Sequence, residues 1–209
     1  MATIGTDTID VVLPEGVNTS DVSVTTGPAG GDVVNVATKV SDLTITASGT
    51  KATDITGQSV SDSTVTATPA AGQTAVVSVE TSAFKGSDIT NTGAGSLDVD
   101  VTAGKVKNSD ITSGGSADSV SFGSKAKLKN VTVDLGGGKD TVTFGKNTKI
   151  KKGTEIKLGG KKNSVVIETK KGVGKLTVTN IGSKDKFTVG GEEFTAQQAK
   201  NGEAGFEVG

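Results

Sequence analysis

Apolar residues in this chain recur with a period of about 22. Starting at Val12, the series Val12, Val34, Ile55, Val77, Val99, Val120, Val142, Val165 and Phe187 advances by 22, 21, 22, 22, 21, 22, 23 and 22 residues. Two residues on, a companion series reads Val79, Val101, Phe122, Phe144, Ile167 and Val189, the period-two pairing of a strand with one face turned inward. A second series (Val40, Val60, Phe84, Val106, Leu128, Ile150, Val173) and a third (Val24, Ile45, Val65, Ile89, Ile111, Val133, Ile156, Val178) keep the same beat. One such unit cannot bury its own inner face. Stacked about 4.8 Å above its predecessor, it sets each apolar side chain on its counterpart and pairs the strands in register.

The period therefore predicts an all-β fold consisting of a single parallel β-solenoid, with three short strands and three corners per coil, about nine coils and a length of roughly 40 Å. Right-handed coiling is expected, because parallel crossovers take that hand. The steps of 20 and 24 around Val60 predict one irregular coil. Corners such as Gly114-Gly115-Ser116-Ala117-Asp118 and Gly136-Gly137-Gly138-Lys139-Asp140 carry residues that accept left-handed angles or cap turns. The organisation expected is an N-terminal plug or docking segment over 1–11, the solenoid over 12–186 and a C-terminal cap over 187–209. In that cap, residues 187–195 read as a hairpin, and Thr195 is placed to cap a brief helix through Lys200 that Gly202 ends.

Composition narrows the chemistry. The 209 residues include 30 Gly but no Cys, His, Trp, Tyr or Arg, and the only aromatic rings are six phenylalanines. Thiolate and imidazole chemistry, disulfides and guanidinium clamps are excluded, leaving carboxylates, lysines and hydroxyls. Val, Ile and Thr favour pleated strands over helices. The first 13 residues show neither a signal peptide nor a membrane span, so if the protein works outside a cell, lysis or a separate secretion route is expected to release it. Net charge is −1, yet up to residue 104 only 3 Lys face 12 Asp and Glu, a balance of −9, while the remainder carries +8. The lysines from Lys146 to Lys175 lack Arg forks and interleaved aromatics, so no sequence-specific nucleic-acid partner is expected.

Three constellations merit weighing. Asp98 and Asp100 flank the inward Val99 and so point outward together, but a sugar-cleaving pair needs a buried acid in a cleft, and no catalytic residue is expected. Thr44-Ile45-Thr46 and Thr64-Val65-Thr66, with Ser23-Val24-Thr25 before them, are similar to the hydroxyl arrays of ice-binding solenoids. The array breaks at Asp88, Asp110 and Glu155-Ile156-Lys157, leaving β-propensity as the simpler reading. Leu135 to Val142 partly resembles the calcium-binding nonapeptide of RTX β-rolls, with Asp118, Asn163 and Asp185 at equivalent points of neighbouring coils. Asp118, Asp140 and Asp185 are thus the calcium candidates. Copies one coil apart, rather than in tandem, favour a turn-stabilising Asp and Asn ladder over a cation site. No other cofactor is expected.

The phrases Gly-Gly-x-x-Asp-Ser-Val-Ser-Phe-Gly at 114–123 and Gly-Gly-Gly-Lys-Asp-Thr-Val-Thr-Phe-Gly at 136–145 resemble repeats in virion structural proteins of marine cyanophages. They are similar, more weakly, to RTX-like cyanobacterial surface proteins. The likeness covers roughly residues 76–195 and transfers no catalytic residue. It implies a non-enzymatic structural protein on the exterior of a phage particle, a capsid decoration, cement or fibre protein. Such a protein would be assembled in the host cytoplasm, released by lysis and partnered by the major capsid or another virion protein, with a homotrimer as the candidate oligomer. The alternative it implies is an RTX-like calcium-binding surface adhesin or secreted module, extracellular or at the cell surface.

Overall fold

The computed structural model describes residues 10–13, 23–25, 32–47, 52–160, 162–170 and 172–209, with side chains from residue 39 onward within those ranges. Almost all of the regular structure is β, and the strands form three parallel ladders. The first runs through Asp10–Leu13, the opening halves of Asp32–Ser41, Ala52–Ser61 and Thr74–Lys85, then Ser96–Val101, Ser119–Phe122, Thr141–Phe144, Ser164–Ile167 and Lys186–Val189. The second uses the closing halves of the three long strands, the start of Val106–Thr112, the start of Lys127–Asp134, and Lys149–Ile150. The third joins Ser23–Thr25, Thr44–Ala47, Thr64–Ala67, Asp88–Asn91, the ends of Val106–Thr112 and Lys127–Asp134, Thr154–Lys157, Leu176–Thr179 and Glu207–Val208. The chain is a parallel β-solenoid.

Register follows the apolar beat closely. Val77, Val99, Val120, Val142, Val165 and Phe187 stand opposite one another, rung on rung. Every step of the third series pairs as its spacing predicts, and so does every step of the second from Val40 to Ile150. Val173 is buried but lies in a 3-10 turn, Val173–Lys175, rather than a strand. Two steps of the first series differ. Val34 faces Val11, not Val12, and Ile55 faces Val79 while Thr53 faces Val77. The second slip is of two residues, which returns each side chain to the same face. Thr53, Ile55, Val77 and Val79 are all buried, so the core accepts it. It sits beside the expected irregular coil, whose extra residues form the turn in which Gln73 N–H bonds the Ala70 carbonyl at 2.9 Å.

Coils whose side chains are described contribute more to the core than three positions. In one, Val120, Phe122, Ala126, Leu128, Val131, Val133 and Leu135 are all buried. Phe122 and Phe144 stack with centroids 5.3 Å apart and planes 15° from parallel, an offset pairing that adds to their area burial. Between the second and third ladders the chain turns on a single left-handed residue in six successive coils, while the following one turns through Val173–Lys175. Asp42, Asp62, Gly86, Asn108, Asn130 and Gly153 hold φ of 59, 50, 56, 52, 51 and 77°. Asn, Asp and Gly are the residues that adopt this region most readily.

The C-terminal end is closed. Lys186–Val189 folds back on Glu192–Thr195 through Gly190 and Gly191, both at positive φ, the requirement of a tight two-residue hairpin turn. Thr195 then caps helix Ala196–Lys200 reciprocally with Gln198, and Gly202 at φ 83° follows. Ala196 and Ala199 bury the helix against the core, Phe206 packs on Phe187 at 5.2 Å, and Glu207–Val208 covers the open edge of Leu176–Thr179. The expected boundaries shift accordingly. Asp10 and Val11 belong to the first ladder rather than to a plug, residues 187–189 are its last parallel rung, and 207–208 extend the third. The rest of the expected plug, residues 1–9, lies outside the described residues.

Phe144→Ala removes a ring held between Phe122 and Ile167 and is expected to lower unfolding free energy by about 3–5 kcal/mol, whereas outward-facing Thr143→Ala should stay within about 0.5 kcal/mol. Chemical denaturation of both variants measures the difference.

Candidate functional site: a buried carboxylate ladder

Asp118, Asp140, Asn163 and Asp185 precede the first-ladder strands by one residue and occupy one interior column. Each side chain reaches toward the coil before it. Leu97 N–H donates to Asp118 Oδ1 at 2.6 Å, Asp118 N–H to Asp140 Oδ1 at 2.9 Å, Asp140 N–H to Asn163 Oδ1 at 3.0 Å and Asn163 N–H to Asp185 Oδ1 at 2.8 Å. The reason is local. Where a glycine-rich corner enters a strand, the first N–H has no carbonyl opposite it, and a short acceptor on the next coil satisfies it. Asn163 also donates to the Gly159 carbonyl, and Asp185 Oδ2 accepts Gly182 N–H at 2.7 Å.

Two atoms in the column remain orphaned: Oδ2 of Asp118 and Oδ2 of Asp140 are buried without a hydrogen-bond partner. Desolvation consequently dominates their titration. Burial pushes the Asp140 carboxyl up to about 6. The Asp118 N–H opposes this, and the Asp118 and Asp185 charges add a smaller push. Burial also raises Asp118, against the pull of Leu97 N–H and weaker pulls from Ser113 and Gly114. Asp185, at the end of the column, borders an open depression of about 240 Å³ lined by Gly160, Lys162, Gly182, Ser183 and Lys184.

The three calcium candidates thus stand in line, as their spacing predicts, but the donor set does not fit a calcium ion. Each Oδ1 is engaged by a backbone N–H, Asn163 interrupts the acids, and no group of three or more acidic, His or Cys side chains placed to hold a metal occurs among the described residues. Calcium asks for six to eight oxygens. The arrangement serves as a chain of inter-coil clamps.

Sequence reading missed a second column of the same kind. Ser63, Ser87 and Ser109 are buried, and their hydroxyls accept N–H from Leu43, Ser63 and Ser87 at 3.1, 3.1 and 3.3 Å while donating to the carbonyls of Ser61, Lys85 and Lys107. The signal was present: each serine stands two residues before a member of the third series, an inward position by strand alternation. The left-handed corner residues were legible in the same way, two residues after most members of the second series.

The remaining candidates lie on outer surfaces. Asp98 and Asp100 point outward from the first ladder as expected, and Asp100 accepts the Ser121 hydroxyl at 2.9 Å. On the third ladder Thr44 and Thr64 are followed by Asp88 and Asp110. The neighbouring column keeps its hydroxyls further than expected, through Thr46, Thr66, Thr90 and Thr112. Ser23 and Thr25 pair with Thr44 and Thr46 through the backbone. No described helix is long and apolar enough to cross a membrane. No family model matches the chain, and no curated protein or solved structure does either.

Because the folded-state pKa of Asp140 lies above its unfolded value, the proton favours the fold. The stability this site contributes is full below the ordinary carboxylate range and is lost as pH rises through about 6. Asp140→Asn keeps an acceptor for Asp118 N–H and removes the buried charge. It is expected to stabilise the rod at pH 7.5 by about 2 kcal/mol and to match the parent at pH 4, as read by thermal or urea unfolding at both pH values.

Proposed function

We propose that the chain is a non-enzymatic structural protein on the exterior of a phage particle, a decoration, cement or fibre component held to its shell through one end or one flank. The observation that carries the structural half of this reading is the use made of interior polar groups. Asp118, Asp140, Asn163, Asp185, Ser63, Ser87 and Ser109 all hold one coil to the next. Stability spread over every rung suits a part whose task is to keep its shape. The virion half rests on the resemblance of residues 114–123 and 136–145 to cyanophage virion repeats. The acidic and basic halves of the sequence offer a means of orienting the rod on a charged shell.

Mass spectrometry of purified particles of the phage that encodes the chain is expected to find it at many copies per particle. The isolated protein should melt at the same temperature with calcium or chelator. Absence from the particles together with calcium-dependent folding would replace this reading with that of an RTX-like surface module.

A further inference from the structure

The second ladder presents an outer face unlike the other two. Its inward residues Phe84, Val106, Leu128 and Ile150 are each followed by a lysine, so that Lys85, Lys107, Lys129 and Lys151 form a column along the rod. Lys105, Lys127 and Lys149, which precede the last three of those residues, form a second. All of these lysines are exposed. Successive rungs lie about 4.8 Å apart and the two columns about 7 Å apart, giving a flat cationic strip about 14 Å long.

Like charges directly opposite on neighbouring strands destabilise a sheet. Among the described residues none of these lysines is ion-paired: the one ion pair there, Lys170 with Glu192, lies at the C-terminal end. The corner beside the strip is neutral where the lysines stack. It carries Asp42 and Asp62 in the earlier coils, whose outward positions include Ser41, Ser59 and Ser61, and changes to Gly86, Asn108, Asn130 and Gly153 in the lysine coils. Asn130 Nδ2 donates to Asn108 Oδ1 at 3.0 Å, so these corner amides pair with each other along the rod. Asp62 borders only the first lysine rung, its N–H bonded to the Lys85 carbonyl at 2.9 Å and its carboxylate against Gly86, while Asp88 and Asp110 lie round the corner on the third ladder.

We infer that this face binds a linear polyanion, and that its chemistry is that of an acidic polysaccharide bearing carboxylate or sulfate groups. The strip is straight and one strand wide, which accommodates a single extended chain. Within each column one cation per rung, about 4.8 Å apart, matches a polymer whose charges recur about once per sugar. Lysine supplies mobile point charges that meet carboxylate or sulfate without fixed geometry. A nucleic acid is the poorer fit, because base stacking and bidentate base contacts need exposed rings or guanidinium groups. The chain has no Arg, Trp or Tyr, and its phenylalanines are buried or half-buried. Recognition therefore reads charge spacing rather than sugar identity. It holds wherever the rod is mounted.

The test compares the full chain with Lys127→Gln/Lys129→Gln/Lys149→Gln and with a control of equal charge change, Lys139→Gln/Lys184→Gln/Lys200→Gln. Binding to heparin, polygalacturonate, neutral dextran, a single-stranded oligonucleotide and a DNA duplex is measured over a range of salt. The parent and the control should bind both acidic polysaccharides and not dextran, with affinity falling as salt rises, and the strip variant should lose about tenfold or more. The strip variant should also melt no lower than the parent at low salt, since it relieves repulsion, which separates lost binding from lost folding. Absence of polysaccharide binding at low salt, equal losses in both triple variants, or tighter binding to nucleic acid than to either polysaccharide would overturn the inference.

Discussion

The structure depends on one contact repeated: a side chain against its own counterpart one rung up. Because the ladders are parallel and in register, the residue that fits beneath a valine is another β-branched or apolar residue of similar reach, and a ring is best met by a ring. Val99, Val120, Val142 and Val165, and Phe122 on Phe144, are the clearest cases. Burial is thin at any one level and accumulates along the axis, as expected of a quasi-one-dimensional protein.

That geometry sets a problem at the corners, where the chain leaves one ladder for the next and its N–H groups lose their partners. The chain solves it twice with the same device, a short polar side chain on the next coil acting as acceptor. Serines do this beside the third ladder in the earlier coils, and Asp and Asn do it before the first ladder in the later ones. Hydroxyls perform the task without penalty because each also donates to a carbonyl. The carboxylates leave Oδ2 of Asp118 and Asp140 without a partner, and the proton affinity of Asp140 rises as a result. Asn163, one rung on, shows the neutral alternative, with its amide given to Gly159.

Much of this was legible in sequence because the beat of apolar residues is itself the register. The third series paired throughout, and the C-terminal hairpin and the capped helix were readable from Gly190-Gly191, Thr195 and Gly202, though not the reciprocal bond from Gln198. Counting alone failed at Ile55, where an equal number of residues to Val77 disguised a two-residue slip that spacing cannot detect, since both choices keep the side chain inside. The final rung Glu207–Val208 was hidden for another reason: it reaches the third ladder by way of a helix, outside the period. Asp118, Asp140 and Asp185 were found as a column, but which atom each would bond follows only from the position of the strand-entry N–H.

Each coil is a separable unit held by its likeness to its neighbours. Deleting residues 120–141, one complete coil, joins Ser119 to Val142 and leaves every ladder in register; deleting residues 120–130 sets a third-ladder segment into the first. Circular dichroism with thermal melting should find the first variant β-rich and cooperatively folded, and the second unfolded or aggregated. If both deletions fold alike, or both fail alike, in-register stacking is not what holds this protein together.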